Sequence, residues 1–201
     1  YDYAFQRQWY FYKLWGNLMY NSKLSNNDIS RWFVDSYGKV GNDIFRAWNY
    51  AGKTPLLIAT LMNASWDFTL YSEGFMALNS KKKITEPIAI EALIHQQPLD
   101  TLYCSIYEEL HEKEQKYHRK SVLLLADSMK KASENCLALL SDIKPDQSES
   151  STIRYELIDL ESWAHLSNHV AEKIYAAYYL EKFRIHQDEK DKNQCHDHLK
   201  A

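Results

Sequence analysis

Apolar residues in the first twenty positions recur at helical spacing. Phe5, Trp9, Tyr12, Leu14, Trp15 and Leu18 include the three-and-four rhythm of one helix face and predict a helix over 4–20. Tyr10 and Phe11 fall off that face, and a helix apolar on several sides is expected to be buried on several sides. Asn21 and Ser22 end it. Ser25 then reads as an N-cap, with Asp28 three residues later as an acidic capping box. Ile29, Trp32, Phe33 and Tyr37 form the face of this second helix, and Gly38 stops it. Asn42 is the expected cap of a third helix through Ile44, Phe45, Trp48 and Ala51. After Gly52, Pro55 fits the first turn of a new helix, with Thr54 as cap and 56–62 as body.

Periodicity fades over 63–85. The run Trp66-Asp67-Phe68-Thr69-Leu70-Tyr71-Ser72-Glu73-Gly74-Phe75 mixes rings with two acids and reads as a loop. Lys81, Lys82 and Lys83 are expected in solvent. Thr85 is the expected cap of a short helix reaching Ile94, with Pro87 in its first turn. A further helix is predicted over 101–115. The C-terminal half carries the longest patterns. Ser121 reads as an N-cap, and Val122, Leu125, Ala126, Met129, Ala132, Cys136, Leu139 and Ile143 follow one face up to Pro145. Beyond a polar linker, Ile153, Leu157, Leu160, Ala164, Val170, Ile174 and Tyr178 follow another to about His186. Two long amphipathic helices joined by a short polar stretch are expected to pack antiparallel. Residues 186–193 are charged and poorly periodic, and 195–201 reads as a solvated tail opening a further helix. The fold class is therefore all-α: an irregular helical bundle with a long C-terminal antiparallel helix pair. It forms a single domain over 1–201, divisible into an aromatic-rich 1–118 and a helical hairpin over 119–201.

Composition narrows the picture. With 5 Gly and 4 Pro in 201 residues, the chain lacks the turn residues an all-β fold needs. A net charge of -3 supplies no basic field for nucleic acid or an anionic membrane. No apolar run approaches the ~20 residues of a membrane span. The chain begins at Tyr1 and is expected to be part of a longer protein. Of its 15 Tyr, 7 Phe and 6 Trp, many cluster in residues 1–75. Rings in such excess serve a core, a domain interface or sugar stacking, and base rates of aromatic burial favour the first two.

Candidate chemistry is sparse. Glu108-Glu109-Leu110-His111 holds one Glu-x-x-His, where a di-metal bundle needs two such motifs. Glu161 with His165 has the wrong spacing, and His111-Glu112 lacks the second His of a zinc-protease helix. Cys195, His196 and His198 fall short of the four ligands of a closed zinc site. No metal and no cofactor are expected. Cys104, Cys136 and Cys195 are too scattered for a disulfide framework. Neither a nucleophile elbow nor a phosphate-binding Gly loop is present. Asp67 and Glu73 are the candidate carboxylates, for hydrogen-bonding sugar hydroxyls or for acid–base work. Catalysis by these two alone is not expected.

The segment Trp9-Tyr10-Phe11-Tyr12-Lys13-Leu14-Trp15-Gly16-Asn17-Leu18-Met19-Tyr20-Asn21, followed by Leu24-Ser25, resembles the W-G-R-L-x-Y-N-P-x-L-S stretch of another group of proteins. That stretch opens the C-terminal helical domain of α-glucuronidase-like glycoside hydrolases (family 67 and large relatives from gut Bacteroides). Trp66 to Gly74, and Arg154-Tyr155-Glu156-Leu157 through Tyr178-Tyr179, resemble later segments of the same domain. Asn17 stands where Arg is usual, and Ser22 where Pro is usual. The resemblance implies that the catalytic carboxylates lie on a barrel outside this chain, so no residue here is catalytic. It implies an accessory domain that packs on that barrel, supports dimer contacts and borders a carbohydrate site. The compartment it implies is periplasmic or extracellular. Trp9, Tyr12, Trp15 and Tyr20 are then the expected domain interface, and Trp66, Asp67, Tyr71 and Glu73 the expected sugar contacts. The alternative is a helical protein–protein interaction module with no sugar role.

Overall fold

The computed structural model describes residues 3–61, 76–79, 84–87, 89–112, 119–143 and 151–201. These form a helical bundle with four short strands. In chain order the elements are α1 (Ala4–Arg7), α2 (Trp9–Tyr20), α3 (Asn26–Tyr37), a 3-10 turn (Gly38–Val40), α4 (Gly41–Ala51), α5 (Thr54–Leu61), β1 (Met76–Asn79), β2 (Ile84–Pro87), α6 (Ile90–Ile94), β3 (Tyr103–Cys104), α7 (Ile106–His111), β4 (Lys120–Ser121), α8 (Leu123–Asp142), α9 (Ser151–His186) and α10 (Glu189–Lys200). They divide between two compact units. One comprises Tyr1–Ala51 and Glu134–Ala164, the other Gly52–Ser133 and His165–Ala201, so α8 and α9 contribute a segment to each.

In the first unit, α3 starts at the predicted capping box. The Ser25 hydroxyl accepts the Asp28 N–H at 3.2 Å, and the Asp28 carboxylate accepts the Ser25 N–H at 3.1 Å. The Ser25 hydroxyl, which also donates to the Asp28 carboxylate at 2.6 Å, and then the Ser25 N–H hold that carboxyl below its ordinary range. Gly38 ends α3 at φ 63°, a left-handed conformation that glycine adopts without a Cβ clash. A Cβ on Gly41 would come within 3.0 Å of the Phe33 carbonyl and the Val34 Cα, so α3 and α4 cross closely at that glycine. Asn42, the expected cap, lies inside α4 instead and accepts the Ser30 hydroxyl. The helix starts early because the 3-10 turn leads straight into it. The core gathers Ile29, Phe33, Ile44 and Ala47 with Cys136 from α8 and Leu160 and Ala164 from α9. Phe33, Ile44 and Leu160 are fully buried, each worth about 1.5–3 kcal/mol in transfer free energy.

The second unit has its own core of Ile58, Ile94, Ile106, Leu125, Met129 and Ile174, with further aliphatics around them. Several boundaries differ from those the sequence predicts. Thr85 and Pro87 do not open a helix: they lie in β2, antiparallel to β1 with Met76 opposite Pro87 and Asn79 opposite Ile84. Branched Ile84 and Thr85 suit a strand, and Pro87, which has no N–H to donate, sits at its end. The helix predicted over 101–115 is confined, among the described residues, to Ile106–His111. Tyr103–Cys104 pairs in parallel with Lys120–Ser121 instead. The start of α7 is fixed by Ser105, whose hydroxyl accepts the Glu108 N–H at 3.2 Å while Glu108 accepts the Ser105 N–H at 2.9 Å. Thr54 is no cap. It is the first residue of α5 and fully buried, and its hydroxyl has no hydrogen-bond partner among the described residues. Ser121 lies in β4, yet its hydroxyl still accepts the Leu123 N–H at 3.1 Å.

The largest correction is at the C-terminus, where the expected solvated tail is the helix α10. Asp188 caps it by accepting the Lys190 N–H at 2.9 Å. Asp191, Cys195 and His198 fall four and three residues apart, on one helix face. Asp191 and Cys195 are buried, Lys182 pairs with Asp191 at 3.0 Å, and His198 Nδ1 lies 2.5 Å from Glu172. A face made of one acid, one thiol and one imidazole has no hydrophobic signature, so periodicity alone does not reveal it.

Candidate interaction surface

The site follows from how α2 is seated. Its sequence is apolar almost all round, with Lys13 as its one charge, yet none of its residues is fully buried. Trp9, Tyr10 and Leu14 face the first unit and are half-buried against its core. The Trp9 ring lies 5.0 Å from Phe33, and Tyr10 lies 4.9 Å from the same ring. The Trp9 indole N–H donates to Tyr37 Oη at 2.8 Å and to Glu156 Oε1 at 3.2 Å. Trp48 donates to the other oxygen of Glu156 at 3.0 Å, so this 2% exposed carboxylate is held between two indoles. Just upstream, Arg7 Nε donates to Asp159 at 2.7 Å. Together these contacts fix which side of α2 faces inward.

The opposite side is open. Phe11, Tyr12, Trp15, Leu18 and Met19 are 54%, 55%, 58%, 44% and 74% exposed. Phe11 meets Trp15 edge-on at 5.5 Å, and the Trp15 indole N–H points at Met19 Sδ, 3.1 Å away. A cleft of about 370 Å³ runs along this row, lined by Phe11, Leu14, Trp15, Leu18 and Met19. Lys13 stands aside, its ammonium 4.9 Å from the Trp32 ring. The row carries no acid, base or thiol, so what it can do chemically is bury itself against another apolar surface.

The expected interface residues separate on this geometry. Tyr12 and Trp15 lie on the open row. Tyr20, 94% exposed, ends the helix away from it. Trp9 is directed inward as part of the unit's own ring cluster, because its indole N–H finds acceptors there. Phe11, which the sequence pattern sets aside, is central to the row, and Met19 joins it. Trp66, Asp67, Tyr71 and Glu73 lie outside the described residues, as do Lys81, Lys82 and Lys83.

Among the described residues, the second unit ties its titratable groups to one another in pairs. Glu172, 4% exposed, accepts from Lys130 at 2.7 Å and meets His198. Burial acts to raise the Glu172 carboxyl, but the bonds from Lys130 and His198 outweigh it and hold the group below its ordinary range. The His198 ring stacks on Tyr175 at 4.9 Å and on Tyr179 at 5.5 Å. Burial pushes the Tyr175 phenol up, and its hydroxyl donates to Asp127 at 2.5 Å. The residues of the Glu-x-x-His motif part company: Glu108 pairs with Arg119 at 2.9 Å, and His111 Nε2 lies 2.6 Å from Glu181. Among the described residues, no group of three or more His, Cys, Asp and Glu is placed to hold a metal. Cys104, Cys136 and Cys195 are all buried, and burial pushes the Cys136 thiol up to about 11. A thiol so shifted is a poor nucleophile at neutral pH.

No family model, no curated protein and no solved structure matches the chain.

Proposed function

We propose that this chain is a helical interaction domain that docks on another protein through the outward row of α2. The observation that carries this reading is a twelve-residue helix with no buried residue and an apolar face turned to solvent. Exposed apolar rows of this kind mark contact sites. A membrane surface is a poorer match, since an interfacial helix flanks its apolar face with several basic residues and α2 has Lys13 alone. Among the described residues, no helix is long and apolar enough to cross a membrane.

The accessory-domain reading is a special case of this proposal. Trp9–Tyr20 and Asn21, which carry the resemblance to α-glucuronidase-like hydrolases, are α2 and its C-cap, so a catalytic barrel is one protein surface the row would suit. The sugar half of that reading rests on Trp66, Asp67, Tyr71 and Glu73. Equal affinity of the wild-type chain and Trp66→Ala for acidic oligosaccharides would remove it.

Hydroxyl-radical footprinting tests the docking reading directly. In the dilute chain, Phe11, Trp15 and Met19 should oxidise heavily, and phosphatidylcholine vesicles should leave the pattern unchanged. Protection of all three in the dilute chain alone would show the row already covered and end the proposal. Protection by vesicles would replace a protein partner with a membrane.

A further inference from the structure

The geometry points to a specific occupant for this row: a second copy of the chain, its α2 antiparallel to the first and related to it by a two-fold axis through Trp15. The inference rests on the docking reading above and names its partner. It starts from register. The open residues are Phe11, Tyr12, Trp15, Leu18 and Met19. Relative to Trp15 they stand at minus four, minus three, zero, plus three and plus four. A two-fold contact brings the same patch of both subunits together, residue i against j and j against i. An antiparallel pairing centred on Trp15 therefore sets Phe11 against the second copy's Met19, Tyr12 against its Leu18, and Trp15 against Trp15. Every apolar position meets an apolar position, and none meets a gap.

The chemistry of those pairs is complementary. The N-terminal half of the row is aromatic and the C-terminal half aliphatic, so rings oppose flexible side chains. A thioether beside an aromatic ring is a favourable contact, and Met adapts its shape to fill around a ring. Charge does not oppose the pairing, because the row holds no ionised group and Lys13 lies over Trp32.

Area sets the strength. Aromatic side chains present about 150–250 Å² each. At the exposures above, the five residues offer on the order of 500 Å² per copy, or about 1,000 Å² across the pair, which is the lower bound for a specific contact. The expected dimer is therefore reversible and concentration-dependent.

Sedimentation equilibrium of the 201-residue chain, from low to high micromolar, tests the inference together with footprinting of the same samples. The wild type should pass from one chain mass to two, with Phe11, Trp15 and Met19 becoming protected as it does. Trp15→Glu should weaken association at least about tenfold while keeping the circular dichroism of the wild type. Phe11→Lys and Met19→Glu should each weaken it. The two together should restore it, because the pairing sets the introduced ammonium of one copy against the introduced carboxylate of the other at both ends. Should Trp15→Glu fail to fold, Met19→Glu, at a more exposed position, carries the same prediction. A wild type that stays at one chain mass overturns the second copy. In that case the row stays labelled if the docking reading stands and is protected if that reading fails too. A dimer that survives Trp15→Glu, or singles that weaken it without rescue by the pair, overturns the register.

Discussion

Two helices of equal length use their residues in opposite ways. α2 and α10 each span 12 residues. α2 is built from rings and aliphatics, and buries none of them completely. α10 is built from charges and amides, yet buries Asp191 and Cys195 and ties down His198. Burial inside each unit thus follows the partners available there more closely than the hydrophobicity of the helix. Glu172 and Lys182 wait for α10, so its polar groups pair and leave solvent. Only one side of α2 finds partners, in Tyr37, Phe33 and Glu156, and its remaining apolar surface is left over. A surplus that the unit does not use is the physical basis of the docking proposal.

The contrast can be broken first inside α2 itself. Trp9→Ala removes a half-buried ring and two indole hydrogen bonds, and leaves the buried Glu156 with fewer donors. Losses of this type run to about 3 kcal/mol. Urea denaturation should show the midpoint falling accordingly. A loss near zero would mean that α2 is not seated by its inward side, and the division of the helix into two faces would collapse.

Next comes α10. Glu172→Ala strips Lys130 and His198 of their shared acceptor and should cost about 2 kcal/mol, since one partner of each pair stays behind. The same carboxylate makes a pH prediction. Its group is held below the ordinary glutamate range in the folded chain. As pH falls, the unfolded chain takes up this proton first. The stabilisation is therefore complete above the ordinary range and is lost as pH falls through the lower folded value. Melting temperatures of the wild type should drop faster over that acidic window than those of Glu172→Ala. Parallel curves would mean that the ion pair contributes nothing to holding α10.

These two helices also mark what was legible in the sequence. The all-α class was, because Gly and Pro are scarce and the faces through Leu125, Met129, Leu160 and Ile174 keep their rhythm over many turns. The Ser25 cap was legible because its chemistry is local: an acceptor and an acid three residues apart. The seating of α2 was not. The sequence pattern sets Trp9, Tyr12, Trp15 and Leu18 on one face, whereas Trp9 turns inward and Tyr12, Trp15 and Leu18 stay open, so periodicity alone does not say which rings meet the core. Only the position of Tyr37 and Glu156, far along the chain, decides it. The burial of α10 was hidden for a related reason, since Asp191 and His198 become anchors only opposite Lys182 and Glu172. The short pairing of Tyr103–Cys104 with Lys120–Ser121 joins residues well separated along the chain, which no local pattern encodes.

The smallest expected effect bears most directly on function. Trp15→Ala deletes as large a side chain as Trp9→Ala does, from the same helix. Trp15 is 58% exposed, and its indole N–H points only at Met19, a weak acceptor one turn along. Its loss also replaces a moderate helix former with the best one. The gain in helix propensity offsets what little packing is lost, so stability of the dilute chain should change by no more than about 0.5 kcal/mol. Association, by contrast, should suffer strongly, since a central aromatic commonly dominates a contact. A substitution that leaves folding intact and abolishes self-association separates the two faces of α2 more sharply than any structural comparison. One that destabilises the dilute chain as much as Trp9→Ala would show that Trp15 belongs to the fold, and no unused surface would remain to explain.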